Sequence, residues 1–309
     1  MTIPPAENGA PPLVSVLVPS YKHEEYVLEC LDSIRDSDYP NLELIVSDDH
    51  SPDATFKLAD QWVHNHQGRF VRAFAVSQPI NLGVVRNLQF LFDQAQGDYL
   101  VCIASDDRLL ASSIAQRVEI LERDLSLDAV FGNAQQISSN GAIIRERFIS
   151  DGIARQLSSR RLILSSLLLN ANAPGPVLML RRAAVLEGGS VGRLPADLAG
   201  EDAYVYIRLA AKGRIAFVNS LFAQWRVVEG SLSTGTHRHS FTRGYTLASD
   251  RLNRTLASGF DRLAIETRIG SHDNAQNRRP FPIYFAMRVF FRLAMMQLRF
   301  ILWLRSFFE

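Results

Sequence analysis

Three pairs of adjacent acids stand where this chain could do chemistry: Asp48-Asp49, Asp106-Asp107 and Glu201-Asp202. Asp106 and Asp107 close the stretch GDYLVCIASDDRLL, in which a turn glycine, Gly97, precedes an unbroken apolar run from Tyr99 to Ala104. A short apolar run bounded by turn residues is the pattern of a strand buried on both faces, as in a parallel sheet. Ligands of open α/β sheets bind at the carboxyl ends of the strands. Paired carboxylates there are hard oxygen ligands suited to Mg²⁺ or Mn²⁺. The competing reading is an exposed acidic turn ahead of a helix that starts near Ser112. Asp48 and Asp49 likewise end an apolar run, Leu42 to Val46, and the alternative there is capping of the next helix. Glu201 and Asp202 open a helical pattern that stops at Gly213, and acids in a first turn are what any helix prefers.

The elements that must position these acids alternate along the chain. Leu13 to Pro19 is a β-branched run closed by proline, hence a strand. Val27, Leu28, Leu31 and Ile34 repeat at helical spacing. After Leu42 to Val46, Ser51-Pro52 reads as a hydroxyl N-cap with proline in the first helical position; Phe56, Ala59, Trp62 and Val63 mark that helix's buried face. Phe70 to Ser77 is a third strand. Asn81-Leu82-Gly83 opens a helix with Val84, Leu88, Leu91 and Ala95 along one side. The run at Tyr99 follows, then a helix with Ile114, Val118, Leu121 and Leu125. Strand–helix alternation implies right-handed crossovers and a mainly parallel sheet. Asp48/Asp49 and Asp106/Asp107 then emerge on one edge, a crevice suited to a cation and a polyphosphate ligand.

The chain has 309 residues, 47% hydrophobic and 21% charged, with a net charge of +1. That fits a large α/β domain with an appendage and offers no global field for nucleic acid. Cys30 and Cys102 lie in apolar patterns and lack a CxxC neighbour, so they read as reduced packing thiols of a reducing compartment. The Pro-rich start, MTIPPAENGAPP, has no signal-peptide pattern and reads as a loose tail.

VSVLVPSYKHEEYVLECLDSI, YPNLELIVSDDHSPDAT, NLGVVRN, GDYLVCIASDD and GEDAYVYIRLAAKG, in this order, resemble the family 2 inverting glycosyltransferases of GT-A fold, over roughly Leu13 to Ser233. The resemblance implies a mainly parallel central sheet flanked by helices, with a helical C-terminal extension. It implies that Pro19, Ser20, Tyr21 and Asp49 hold the nucleotide base, Asp48 being the lesser candidate. Asn81, Gly83, Arg86 and Asn87 match the donor-binding loop and helix, with Arg86 in the first turn, where a helix favours anions; a solvated arginine is the alternative. Asp106 and Asp107 match the metal motif, and Asp106 also serves the donor. Many relatives carry a further carboxylate where this chain has Ala104. Asp202 matches the general base, and Glu201 positions the acceptor or supports the metal site. Relatives often have His-Pro-Gly-Ser where this chain has Val228-Glu229-Gly230-Ser231; His237 or His239 could substitute for that histidine. Trp225-Arg226 lines the acceptor site, or Trp225 joins the core. Gln224-Trp225-Arg226 does not reproduce the Gln-x-x-Arg-Trp of processive members, which favours single-sugar transfer.

The expected activity is therefore Mg²⁺- or Mn²⁺-dependent transfer from a UDP- or dTDP-sugar to a glycan or lipid-linked acceptor in cell-surface polysaccharide or O-antigen synthesis. A nucleotide- or glycan-binding pseudoenzyme is the non-catalytic alternative, and a sugar-phosphate nucleotidyltransferase the enzymatic one. The expected division is a tail at 1–12, a catalytic domain at 13–235 (nucleotide half 13–110, acceptor half 111–235) and an extension at 236–309. In PFPIYFAMRVFFRLAMMQLRFILWLRSFFE, from Pro280, Arg288, Arg292 and Arg299 fall within about 40° of one another on a helix, with Phe290, Ile301, Leu304 and Phe308 opposite. Such a helix suits an anionic membrane interface, arginines turned to the headgroups, or packing on the catalytic domain or, in a homodimer, on a second subunit. A spanning helix is disfavoured because arginines interrupt every apolar run. The expected location is cytoplasmic, at the inner face of the cytoplasmic membrane.

Overall fold

The computed structural model describes residues 10–169, 175–196, 198, 201–228 and 281–307, with side chains of the last segment from 293 onward. It divides into two compact units. The first comprises Met1–Phe148, Pro174–Asp197 and Val218–Val228; the second comprises Ile149–Ala173, Leu198–Phe217 and Glu229–Glu309.

The first unit is built on a nine-stranded sheet. Its strands are β1 (Val14–Ser20), β2 (Leu42–Asp48), β3 (Arg72–Ser77), β4 (Tyr99–Cys102), β5 (Arg108–Leu109), β6 (Ala129–Ile137), β7 (Ile143–Arg145), β8 (Leu178–Arg181) and β9 (Ile215–Arg226). The order is β3-β2-β1-β4-β8-β6-β9-β5, with β7 paired to β6. Helices α1 (Val27–Arg35), α2 (Thr55–His66), α3 (Val84–Gln94) and α4 (Ser113–Arg123) separate the early strands. Parallel pairing is confined to β3-β2-β1-β4, where Val14, Ser20 and Leu17 stand beside Leu42, Asp48 and Cys102. β8 runs antiparallel to β4, and antiparallel pairing continues through β6.

The parallel part positions the acids because its inner strands β1, β2 and β4 are largely apolar and buried, with β3 half-buried beside them. Val14, Val16, Leu17, Val18, Leu44, Ile45, Val46 and Val101 have no exposed surface. Their polar exceptions are satisfied in place. Glu43, fully buried within β2, accepts from Ser15 Oγ at 2.5 Å, Gln96 N–H at 2.9 Å and Arg72 Nη1 at 2.7 Å. Gly97 is needed beside β1, since a Cβ there would lie 2.6 Å from Ser15 Oγ and 2.8 Å from the Leu13 carbonyl oxygen.

Several details differ from the sequence pattern. Ser51 does not cap α2, which starts at Thr55. Its hydroxyl donates to Asp48 Oδ1 at 2.5 Å, and the Asp53 carboxylate accepts from the Thr55 N–H instead. Leu28 and Val84 are exposed, while Cys30 and Val85 face the core. Leu125 lies beyond α4 and is 74% exposed. Burial, with Asp107 and Asp106 nearby, pushes the Cys30 thiol well up, as suits an inert packing group.

The second unit contains α5 (Asp151–Ser158), α6 (Ile163–Leu169), α7 (Glu201–Ala211) and α8 (Phe281–Arg305). α6 is buried along its whole length and packs on α5, α7 and α8. α7 ends as its glycine predicts: Gly213 has φ 62°, and the N–H groups of Gly213 and Arg214 bond to the carbonyls of Ala210 and Leu209.

Candidate active site

At the carboxyl ends of β1, β2 and β4 the first unit gathers Pro19, Ser20, Tyr21, Asp49 and Asp106, as the alternation implied. The chain turns sharply here. Lys22 and His50, directly after β1 and β2, are the non-glycine residues with positive φ among those described, at 58° and 62°. Such conformations are uncommon for these residue types and concentrate at functional sites. Tyr21 is 38% exposed, and the Lys22 ammonium stands 5.0 Å from its ring centre.

The acids divide by environment. Asp48 is fully buried and braces the loop after β2, accepting from Ser51 N–H at 2.8 Å, Ser51 Oγ and Ser20 Oγ. Asp49 holds the next loop: its Oδ1 accepts the Leu82 N–H at 2.6 Å and its Oδ2 the Gly83 N–H at 2.8 Å. That clamp sets Gly83, at φ 79°, immediately before α3. Asn81 Oδ1 accepts from the same Gly83 N–H at 3.2 Å. Arg86, in the first turn of α3, is exposed and has no side-chain partner among the described residues. Asn87 differs, being buried and bonded to Ser47 at both ends of its amide, so it pins α3 onto β2 rather than facing a ligand.

Residues 104–107 form a tight turn in which the Asp107 N–H donates to the Ala104 carbonyl. Asp107 is 2% exposed and its Oδ1 accepts the Arg226 backbone N–H at 2.8 Å. Asp106 keeps part of its carboxylate open, its side chain 13% exposed. Arg226, at the end of β9, organises the turn from behind. Its Nε donates to the Asp106 carbonyl at 2.7 Å, Nη1 to the carbonyls of Ser138 and Ser139, and Nη2 to Glu29, while the guanidinium lies 4.8 Å from the Tyr26 ring centre. Glu29 also pairs with Arg108. Arg226 is therefore a buried brace. Trp225 packs edge-on against Phe148 at 5.0 Å.

Among the described residues no group of three His, Cys, Asp or Glu side chains could hold a metal ion. Mg²⁺ is usually held by one or two carboxylates together with substrate phosphates and waters, and Asp106 at the sheet edge fits that mode. Such a cation would neutralise a departing diphosphate.

Glu201 and Asp202 belong to the second unit, in the first turn of α7. Burial, and then the neighbouring Glu201 carboxylate, push Asp202 up to about 8; burial also raises Glu201. Part of Asp202's surface remains open to solvent. A carboxyl group lifted toward neutrality is suited to proton transfer. His237 and His239 lie outside the described residues.

A mixed sheet flanked by helices, with acids at the carboxyl ends of its parallel strands, defines the class: a GT-A glycosyltransferase fold. The profile of the Glycosyl transferase family 2 matches residues 15–187, and the chain belongs to that family. An uncharacterized protein of Mycobacterium tuberculosis is 27% identical over 244 residues, 76% of this chain and 66% of its own length. The chain thus spans just under two thirds of that relative. A GalNAc(5)-diNAcBac-PP-undecaprenol beta-1,3-glucosyltransferase of Campylobacter jejuni is 24% identical over 233 residues, covering 74% of this chain and 70% of that protein. Two solved structures share the fold: S. aureus TarS 1-349 with UDP-GlcNAc (TM-score 0.63, 18% identity, 84% of this chain and 71% of that one) and the mannosyltransferase PcManGT from Pyrobaculum calidifontis with GDP-Man and Mn²⁺ (TM-score 0.62, 17% identity, 96% and 86%).

Proposed function

We propose that the chain is an inverting glycosyltransferase that moves one sugar from a UDP- or dTDP-sugar to a glycan or lipid-linked acceptor, with residues 13–235 as its catalytic domain. The observation that carries this reading is the partly open Asp106 at the carboxyl end of β4, on the same sheet end as Asp49, which clamps the loop at Leu82–Gly83 ahead of the exposed Arg86. Pro19, Ser20, Tyr21 and the spare lone pairs of Asp49 bind the base. Asn81, Gly83 and Arg86 meet the ribose and diphosphate, where the first turn of α3 adds its own preference for anions. Asp106, more than Asp107, faces Mg²⁺ or Mn²⁺. Asp202 takes the proton of the attacking hydroxyl while Glu201 positions the acceptor, and direct displacement inverts the anomeric centre. PcManGT with Mn²⁺, TarS with UDP-GlcNAc and the undecaprenol-linked name of the Campylobacter relative support these assignments by analogy.

Family membership sets aside a nucleotidyltransferase. Ala104, where relatives carry a carboxylate, favours a non-catalytic nucleotide-binding protein as the second reading. Thermal shift with a panel of nucleotide sugars separates these possibilities in part. UDP- or dTDP-sugars are expected to raise Tm in the presence of Mn²⁺, because a ligand at 100 times its Kd stabilises by about 2.7 kcal/mol. No shift with any nucleotide sugar would refute donor binding; a shift without Mn²⁺-dependent donor hydrolysis would favour the second reading.

No helix among the described residues is long and apolar enough to cross a membrane. α8 has two faces instead. Leu298 and Leu302 are buried, while Leu293, Met296, Phe300, Trp303 and Phe307 are 42–64% exposed. Arg299 donates to the Leu169 carbonyl at 2.8 Å, so this member of the arginine stripe faces the protein, a correction to the expected orientation toward headgroups. The stacked Phe300 and Trp303 rings, 5.8 Å apart, give the free face an aromatic body of the kind enriched at membrane interfaces. We propose peripheral binding to anionic membrane through this face. The full chain is expected to float with anionic liposomes and the double variant Phe300→Ser, Trp303→Ser to stay behind, with Leu298 and Leu302 still in the core. Equal failure to float, with dimerisation lost only in the variant, would assign the face to a second subunit.

A further inference from the structure

Beside the open edge of Asp106 lies a histidine to which the family resemblance gives no task. His23 follows β1 and is fixed on several sides. Its backbone N–H donates to Thr55 Oγ1 at 2.8 Å, its Nδ1 is 2.8 Å from the buried Ser105 Oγ, and its ring meets Tyr26 edge-on at 6.2 Å. These contacts aim Nε2 at Asp106 Oδ2, 3.7 Å away, with the two side chains 25% and 13% exposed. That gap is too long for a hydrogen bond. In the tautomer whose Nδ1–H donates to Ser105 Oγ, the Nε2 lone pair is turned toward the Asp106 carboxylate.

This is the arrangement of a metal-ligating imidazole, whose second ring nitrogen is held by a partner that sets tautomer and direction. Two ligands at right angles on a cation at about 2.1 Å stand about 3 Å apart, a small side-chain adjustment from the observed gap. The other candidates for a second ligand are weaker. Position 104 is alanine, and an oxygen of Asp107 is committed to the Arg226 N–H.

We propose that His23 Nε2 is the second protein ligand of the divalent cation, paired with Asp106 and compensating for the carboxylate absent at Ala104. The inference rests on the glycosyltransferase reading above and adds a metal preference to it. Imidazole suits later first-row metals, whereas Mg²⁺ favours carboxylate and water. The site therefore prefers Mn²⁺ to Mg²⁺. With two protein donors, it also needs the diphosphate to complete the coordination sphere.

The test is pulsed EPR of Mn²⁺ bound to the full chain with UDP, together with Mn²⁺ and Mg²⁺ titrations. Wild type is expected to show ¹⁴N modulation from a coordinated imidazole, and His23→Gln to lose it. The double variant His237→Ala, His239→Ala should keep it. Mn²⁺ affinity in His23→Gln should fall about 10–100-fold, the scale of perturbed metal shells, with a smaller change for Mg²⁺. If His23→Gln folds poorly, His23→Asp supplies the control: it keeps a ligand, so Mn²⁺ stays bound without the nitrogen signal. Bound Mn²⁺ with no ¹⁴N coupling in wild type, or coupling that survives loss of His23, overturns this inference and leaves the metal-dependent reading standing. No Mn²⁺ binding by wild type with UDP overturns both.

Discussion

Asp202→Asn is expected to abolish transfer while leaving donor binding in place, because the amide keeps the shape and removes the base. Loss of a general base typically costs about 10²–10⁴ in rate. The pH dependence carries a sign. Asp202 is raised to about 8 by burial and by Glu201, and only its ionised form accepts a proton, so kcat/KM of wild type should climb as pH rises toward about 8 and then level. Stability should move the opposite way. A carboxyl group that binds its proton more tightly when folded favours the native state below its unfolded pKa of about 3.9, and that advantage is lost as pH rises through about 8. Asp202→Asn should therefore melt higher than wild type at pH 8, a gain confined to the inactive protein. Near-normal transfer by this variant would show that another group is the base.

Asp106→Ala should cut Mn²⁺-dependent affinity for UDP by about 10-fold or more, on the scale seen when metal shells are disturbed. The fold should hold, since this carboxylate is partly open. Asp107→Ala is the contrast. It orphans a buried Arg226 N–H, at a cost of about 1–3 kcal/mol, so its main effect should be a lower urea midpoint. Isothermal titration and urea unfolding of both variants decide the matter. Unchanged metal-dependent affinity in Asp106→Ala would remove this carboxylate from the metal site.

The inner strands of the parallel part were legible because β1 and β2 are buried on both faces, so runs such as LVSVLVP and LELIV need no partner to be recognised. The acids at their ends were legible for the same reason. Polar residues with distant partners were not. Arg226 reads locally as surface or acceptor lining, yet its burial depends on Glu29, Asp106 and Ser138, 197, 120 and 88 positions away. Arg117 sits on the α4 face occupied by Ile114, Val118 and Leu121, and bonds to the carbonyls of Pro176 and Leu178 from across the unit. Asn87 passed as a ligand contact because nothing near it in sequence reveals Ser47. His23 showed no pattern; only folding sets it beside Asp106.

The Arg226 brace has a consequence for how the protein comes into being on the ribosome. The turn that presents Asp106 is drawn early in synthesis, yet the amide that pairs with Asp107 and the guanidinium that pairs with Glu29 arrive more than a hundred residues later. Until β9 has emerged and docked, the nascent first unit holds a paired sheet core with an unfinished mouth. Completion of the turn that presents Asp106 thus becomes a late event of biogenesis, coupled to contacts far apart along the chain.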